Sequence, residues 1–171
     1  MKHAILALLF LSLSCAAPPR GPLEVSGIYP ALAVSNSSGE CGIGAVVPWA
    51  GRLWFVTYGP HKPWGSDDKL YELSPSLELR ARPESVGGTP ADRMIHDETD
   101  QLVIGPYFID RTGRVRAVPP ALMPGRLTAA ARHLFDPTRK LYIATMEEGL
   151  YEVDARTLAV REIFPDGNTI G

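Results

Sequence analysis

The sequence predicts an all-β chain: a β-propeller of four-stranded blades, incomplete, with about three to four blades present. Three observations carry this. Short motifs recur at a spacing of about 40 residues, which is the length of one blade. Gly and Pro are abundant, 16 of each in 171 residues, as many short strands joined by turns require. No apolar helical period of useful length runs through the chain beyond its first residues.

The recurrence is visible by aligning like with like. Leu53-Trp54-Phe55-Val56 returns as Leu102-Val103-Ile104 and as Leu141-Tyr142-Ile143. Leu70-Tyr71-Glu72-Leu73 returns as Leu150-Tyr151-Glu152-Val153, with Tyr107-Phe108-Ile109-Asp110 between them. A four-stranded sheet cannot cover both of its faces alone, so such units pack around a common axis.

In chain order, residues 1–16 read as a signal peptide. Lys2 and His3 precede an apolar run at 4–13 that is too short to span a bilayer. Cleavage before Cys15 would leave a lipid anchor there, and cleavage after Ala16 would release the chain. Either way the protein is expected to be exported: periplasmic, secreted or lipid-anchored at a bacterial surface. Residues 17–25 are a linker by composition, and 26–171 the partial propeller. Cys41 stands alone outside the signal region, so no internal disulfide framework exists.

A strand is expected at 31–34 and a polar turn at 36–40. The first full unit has strands at 43–47, 53–58, 69–73 and 77–80. The second has 93–96, 102–104, 107–110 and 115–118, and the third 129–134, 141–143, 150–153 and 158–163. Closed rings need about four to eight blades, so the count predicts a fragment of a longer protein. A distorted small propeller and a ring completed by other chains are the alternatives.

Blade topology predicts which loops share an end. The loop after the second strand joins the inter-blade segments there. That end collects His61, Lys62, Trp64, Asp67 and Asp68, then Tyr107, then Glu147 and Glu148. Arg93 and Arg132 each stand nine residues before the aligned leucine, which places both near the axis. His96, Asp97 and Asp136 belong nearer the opposite end. Trp64 can stack on a pyranose ring, Arg grips a carboxylate with two hydrogen bonds, and a His titrates near neutrality. This suits an acidic glycan as partner. Plainer readings stand beside each: Trp64 closing its loop, the arginines bracing blades against Asp92 or Asp97, Glu147 and Glu148 forming a polar turn. Asp67-Asp68 caps a turn or holds a hard cation such as calcium. The net charge of −2 and the lack of a basic stripe argue against nucleic acid.

Gly42-Ile-Gly-Ala-Val-Val-Pro-Trp49, Tyr58-Gly-Pro-His61, the run from Gly65 to Glu72, the run from Arg82 to Pro90 and Pro124-Gly-Arg-Leu-Thr128 form a distinctive series. The chain resembles the N-terminal half of seven-bladed propeller enzymes that remove L-rhamnose capping D-glucuronate on arabinogalactan. These are L-rhamnose-α-1,4-D-glucuronate lyases and α-L-rhamnosidases. The resemblance implies β-elimination or hydrolysis, with a catalytic His matched to His61. In an elimination Arg93 and Arg132 would neutralise the carboxylate, and His61 or Tyr58 would serve as base or acid. Trp64, Lys62 and Tyr107 would contact substrate. The rival from another class is a non-catalytic propeller that binds glycan or protein at the cell surface.

Overall fold

A computed structural model of the protein describes residues 42–59, 62 and 64–167. The expected signal peptide, linker, strand at 31–34 and His61 lie outside the described residues. Three four-stranded antiparallel sheets account for the rest, each with its strands in chain order. The first holds β1 (Gly42–Trp49), β2 (Arg52–Tyr58), β3 (Leu70–Leu73) and β4 (Leu79–Ala81). The second holds β5 (Arg93–His96), β6 (Gln101–Ile104), β7 (Tyr107–Asp110) and β8 (Val115–Ala117). The third holds β9 (Leu127–Arg132), β10 (Lys140–Thr145), β11 (Leu150–Asp154) and β12 (Val160–Phe164). All three expected full units are present as blade-like sheets. Boundaries differ from the expected ones by up to two residues, as at the start of β4 and of β9. Leu77 closes the β3–β4 turn, its N–H bonded to the Ser74 carbonyl at 2.9 Å, so β4 begins two residues later.

Strand pairing fixes which residues are equivalent. Leu53 faces Leu73, Leu102 faces Ile109, and Leu141 faces Val153. One step inward, Phe55, Ile104 and Ile143 face Tyr71, Tyr107 and Tyr151. These residues form the upstream face of each sheet, turned toward the preceding one. The residues between them form the downstream face.

Burial follows from what covers each face. The downstream face of the first sheet (Ala45, Val47, Trp49, Trp54, Val56, Leu70) packs on the upstream face of the second (Leu102, Ile104, Tyr107, Ile109). The second sheet's downstream Val103 and Phe108 pack on Leu141, Ile143, Tyr151 and Val153 of the third. β6 is therefore buried at every position, while β1 and β10 alternate. Burying a large apolar side chain contributes roughly 1.5–3 kcal/mol, so these two interfaces hold the sheets together.

The sheets approach closest at their first strands, β1 to β5 and β5 to β9. Gly44 shows how close: a Cβ there would stand 2.0 Å from the Pro90 carbonyl oxygen, so a side chain cannot fit. The Ala91 N–H bonds to the Leu127 carbonyl at 2.8 Å across the second junction.

Asp92, beside this junction, is 2% exposed, and neither carboxylate oxygen closes a hydrogen bond. Burial, only partly offset by the nearby N–H groups of Asp92 and Gly105, lifts its pKa to about 7. The native chain therefore keeps this proton while the unfolded chain loses it near the ordinary carboxylate value. Stability from this group is fully present below that value and falls as pH rises through about 7. Asp92→Asn removes the titration. Urea stability of the variant relative to the native chain should improve by on the order of 2–4 kcal/mol from acid to mildly alkaline pH. A difference independent of pH would contradict the assignment.

Candidate functional site

The loops after the second strands and the segments linking sheets gather at one end of the assembly, the upper end. Hydrogen bonds make this explicit. The loop after β2 is held by the segment that leads from the first sheet to the second. Gly59 N–H donates to the Gly88 carbonyl at 3.2 Å, and Gly65 N–H to the Val86 carbonyl at 2.9 Å. Gly88 N–H donates to Ser66 Oγ at 2.9 Å. The Thr89 hydroxyl reaches the carbonyls of Gly59 (2.5 Å) and Lys62 (2.9 Å). At Gly87, with φ of +76°, a Cβ would lie 2.5 Å from the Ser66 nitrogen, so this contact needs glycine. Together these bonds latch the loop.

What the latched loop presents is specific. Trp64 is 44% exposed, and Lys62 and Asp67 are exposed beside it. Asp68 is turned inward, 2% exposed, and accepts the Ser66 hydroxyl at 2.6 Å. The two neighbouring aspartates therefore do not face one ligand. Among the described residues no group of three or more His, Cys, Asp or Glu could hold a metal ion. Arg93 is exposed at the upper end of β5 and makes no ion pair among the described residues.

Other expected residues are committed to structure. Tyr107 is 1% exposed, and its hydroxyl accepts the Val86 N–H at 2.8 Å. Burial raises its pKa, and the ring belongs to the core beneath the latch, not to an open surface. Tyr58 is half-buried, its Cε1 only 3.3 Å from where a Gly42 Cβ would stand. Glu147 is largely buried and paired with Arg126, while Glu148 is exposed with φ of +72°.

Arg132 is not equivalent to Arg93. Arg93 faces Ile104, whereas Arg132 faces Leu141, the counterpart of Leu102, which faces Ile95. The turn after β9 is longer than the turn after β5, so counting back from the leucine misplaces Arg132 by two residues. It stands at the lower end and bridges Asp97 (2.8 Å) and Glu98 in the second sheet's turn. The bracing reading describes this residue.

The lower end holds features the sequence did not announce. A groove of about 600 Å³ is lined by Pro48, Trp49, Leu53, Leu77, Ile95 and Arg111. The Arg111 guanidinium lies 4.0 Å over the Trp49 ring and pairs with Asp100 at 2.6 Å. His133 and Glu152 meet at 2.7 Å, a pairing suggestive of acid–base chemistry. Yet His133 Nδ1 accepts the N–H groups of Phe135 (3.1 Å) and Asp136 (2.9 Å), so Nε2 donates to Glu152. Both ring nitrogens are occupied. Arg161 and Lys140, with His133, hold the Glu152 carboxyl at about 2 against the opposing effect of burial. The cluster is a folded-state brace with no lone pair left for a substrate.

No family model matches the chain, and no curated protein matches it.

The latch can be tested directly. Thr89→Val keeps the shape and removes the hydroxyl that serves two carbonyls, and should cost about 1–3 kcal/mol. Chymotrypsin should then cleave beside Trp64 faster than in the native chain. An unchanged cleavage rate would mean the loop does not depend on these bonds.

Proposed function

We propose that the upper end recognises a rhamnose-capped D-glucuronate on a complex glycan, as part of an exported β-propeller. Removal of the rhamnose is the activity of the ring completed by further blades. One observation carries this reading: an exposed tryptophan and two exposed cations, Trp64, Lys62 and Arg93, stand at the same end, with Trp64 and Lys62 on a latched loop. A ring face of Trp stacks on the apolar face of a sugar, and Arg pairs with a carboxylate in two parallel hydrogen bonds. A loop held by backbone bonds meets its ligand with little ordering cost.

In the elimination route, Arg93 neutralises the glucuronate carboxylate and so acidifies the C5 proton. His61 or Tyr58 removes that proton, the C4–O bond breaks, and the departing rhamnose oxygen takes a proton. In the hydrolytic route two carboxylates would be needed. Among the described residues at this end, Asp68 and Glu147 are engaged with Ser66 and Arg126, while Asp67 and Glu148 are exposed, so the carboxylates do not separate the two routes and the assay below does.

A second reading, a non-catalytic glycan- or protein-binding module, is favoured by the commitments of Tyr107 and Arg132. Both were expected to meet substrate, and both instead hold sheets together. A rhamnose-capped glucuronide separates the possibilities. Absorbance of an unsaturated uronate signals a lyase, free rhamnose without it a hydrolase, and binding without turnover a binding module. Trp64→Ala should weaken glycan binding about tenfold, in line with loss of one stacking contact worth on the order of 1–2 kcal/mol. His61→Ala with full activity would remove His61 from the chemistry. No binding of the glycan by a folded chain would contradict the proposal.

A further inference from the structure

Residues 86–92 form a strap that ties the three sheets to one another and to the loop after β2. Toward that loop, Val86 accepts the Gly65 N–H, Gly88 accepts the Gly59 N–H, and the Thr89 hydroxyl reaches the Gly59 and Lys62 carbonyls. Toward the first sheet, Pro90 lies against Gly44. Toward the third, the Ala91 N–H donates to the Leu127 carbonyl at 2.8 Å. Within the second, the Asp92 carbonyl accepts the Gly105 N–H at 3.2 Å.

The strap has no slack at this end. A Cβ on Gly105, which has φ of +56°, would stand 2.7 Å from Pro90 Cβ, and one on Gly44 would stand 2.0 Å from the Pro90 carbonyl oxygen. Into this crowded junction the chain places a carboxyl. Arg93 faces Ile104 as Val46 faces Phe55, so Asp92 stands where the first sheet has Ala45, 3% exposed in its core. Asp92 is 2% exposed, and both of its carboxylate oxygens lack a hydrogen-bond partner.

Among the described residues no charged side chain compensates. β1 carries no titratable residue. On β5, Arg93 is exposed, and His96 at the far end meets the Thr99 hydroxyl at 2.8 Å. Ahead of β9, Arg126 is paired with Glu147, and Arg132 at its lower end is paired with Asp97 and Glu98. The turn from β6 to β7 leads to Tyr107, whose hydroxyl accepts the Val86 N–H. What acts on the carboxyl is burial, opposed only by the N–H groups of Asp92 and Gly105. The neutral acid is the form this junction accommodates.

We propose that Asp92 is a proton-operated clasp on the upper end: protonated, it lets the strap lie seated across the three sheets, and ionised, it lifts the strap and releases the loop that carries Trp64. The seated form holds a proton that the lifted form, with its carboxyl in water, gives up. Lifting therefore becomes easier as pH rises above the ordinary carboxylate value. The effect levels off above about 7, where the seated form ionises too. The sheets stay packed when the strap lifts, because the apolar clusters between them contain none of residues 87–92. The clasp governs how Trp64 is presented and is independent of the ligand that the upper end takes.

Amide hydrogen exchange on the full chain tests it, with Asp92→Asn as a reference that carries no proton to lose. Taking the ratio of native to variant cancels the intrinsic pH dependence of exchange. For the Ala91 and Gly65 amides this ratio should rise about tenfold or more from about pH 5.5 to about pH 8. Their opening should respond little to low urea, because it exposes little surface, whereas β6 should open more rarely and with full urea dependence. Chymotrypsin cleavage beside Trp64, read as the same ratio, should rise with the strap amides. Asp92→Ala, which places the first sheet's residue at this position, is a second reference and should give the same rise. A strap ratio that stays constant with pH overturns the inference. So does a strap that opens at the frequency and urea dependence of β6, because the proton would then leave only on global unfolding.

Discussion

A β-sheet has two faces, and this fold depends on the second sheet having both of them covered. Trp54, Val56 and Leu70 close one side of it, and Leu141, Ile143 and Tyr151 close the other. The apolar identity of β6, Gln101–Ile104, follows: Leu102 and Ile104 serve the upstream contact, Val103 the downstream one. In an ordinary one-sided strand every other residue would be polar. In the end sheets β1 and β10 show alternating burial, whereas β2 is buried from Trp54 to Thr57 and β11 from Tyr151 to Asp154.

The same packing builds the upper end. Tyr107 fills the core between the first two sheets, and its hydroxyl accepts the Val86 N–H. Val86 in turn accepts from Gly65, beside Trp64. The position of the exposed tryptophan is thus set through a buried tyrosine, a linking segment and a handful of backbone bonds. Tyr107, which the sequence suggests as a ligand contact, instead supports the loop that presents Trp64. Charge is handled likewise at the lower end, where Arg132 ties the third sheet to Asp97 and Glu98 of the second. Glu72 lies buried on the first sheet within reach of Arg52 (3.6 Å) and Arg82 (3.4 Å), which offsets part of its desolvation.

Much of this was legible in the sequence. Repeated Leu-x-aliphatic and Leu-Tyr-Glu motifs mark second and third strands because those strands must fill the space between sheets. Their topology then dictates which loops share an end, as the bonds between residues 59–66 and 86–89 bear out. Turn length was not legible. His96 to Gln101 and His133 to Lys140 are equivalent turns of unequal length, and the difference displaced Arg132 from its supposed counterpart. Nor was the fate of polar side chains: Tyr107 and Asp68 look available in sequence and are buried, because burial depends on neighbours far along the chain. The Arg126–Glu147 pair was missed for that reason, although Gly125 before it signalled an unusual backbone, realised as φ of +111°.

Among the described residues the middle sheet is clamped by a neighbouring sheet on both faces and the outer two on one. Amide hydrogen exchange, resolved by strand in dilute and monomeric protein, measures this most directly, since exchange reports the free energy of local opening. β6 and β7 should be the slowest strands, with β1, β2, β10 and β11 opening first. Exchange that is uniform across the three sheets, or fastest in the second, would contradict the account.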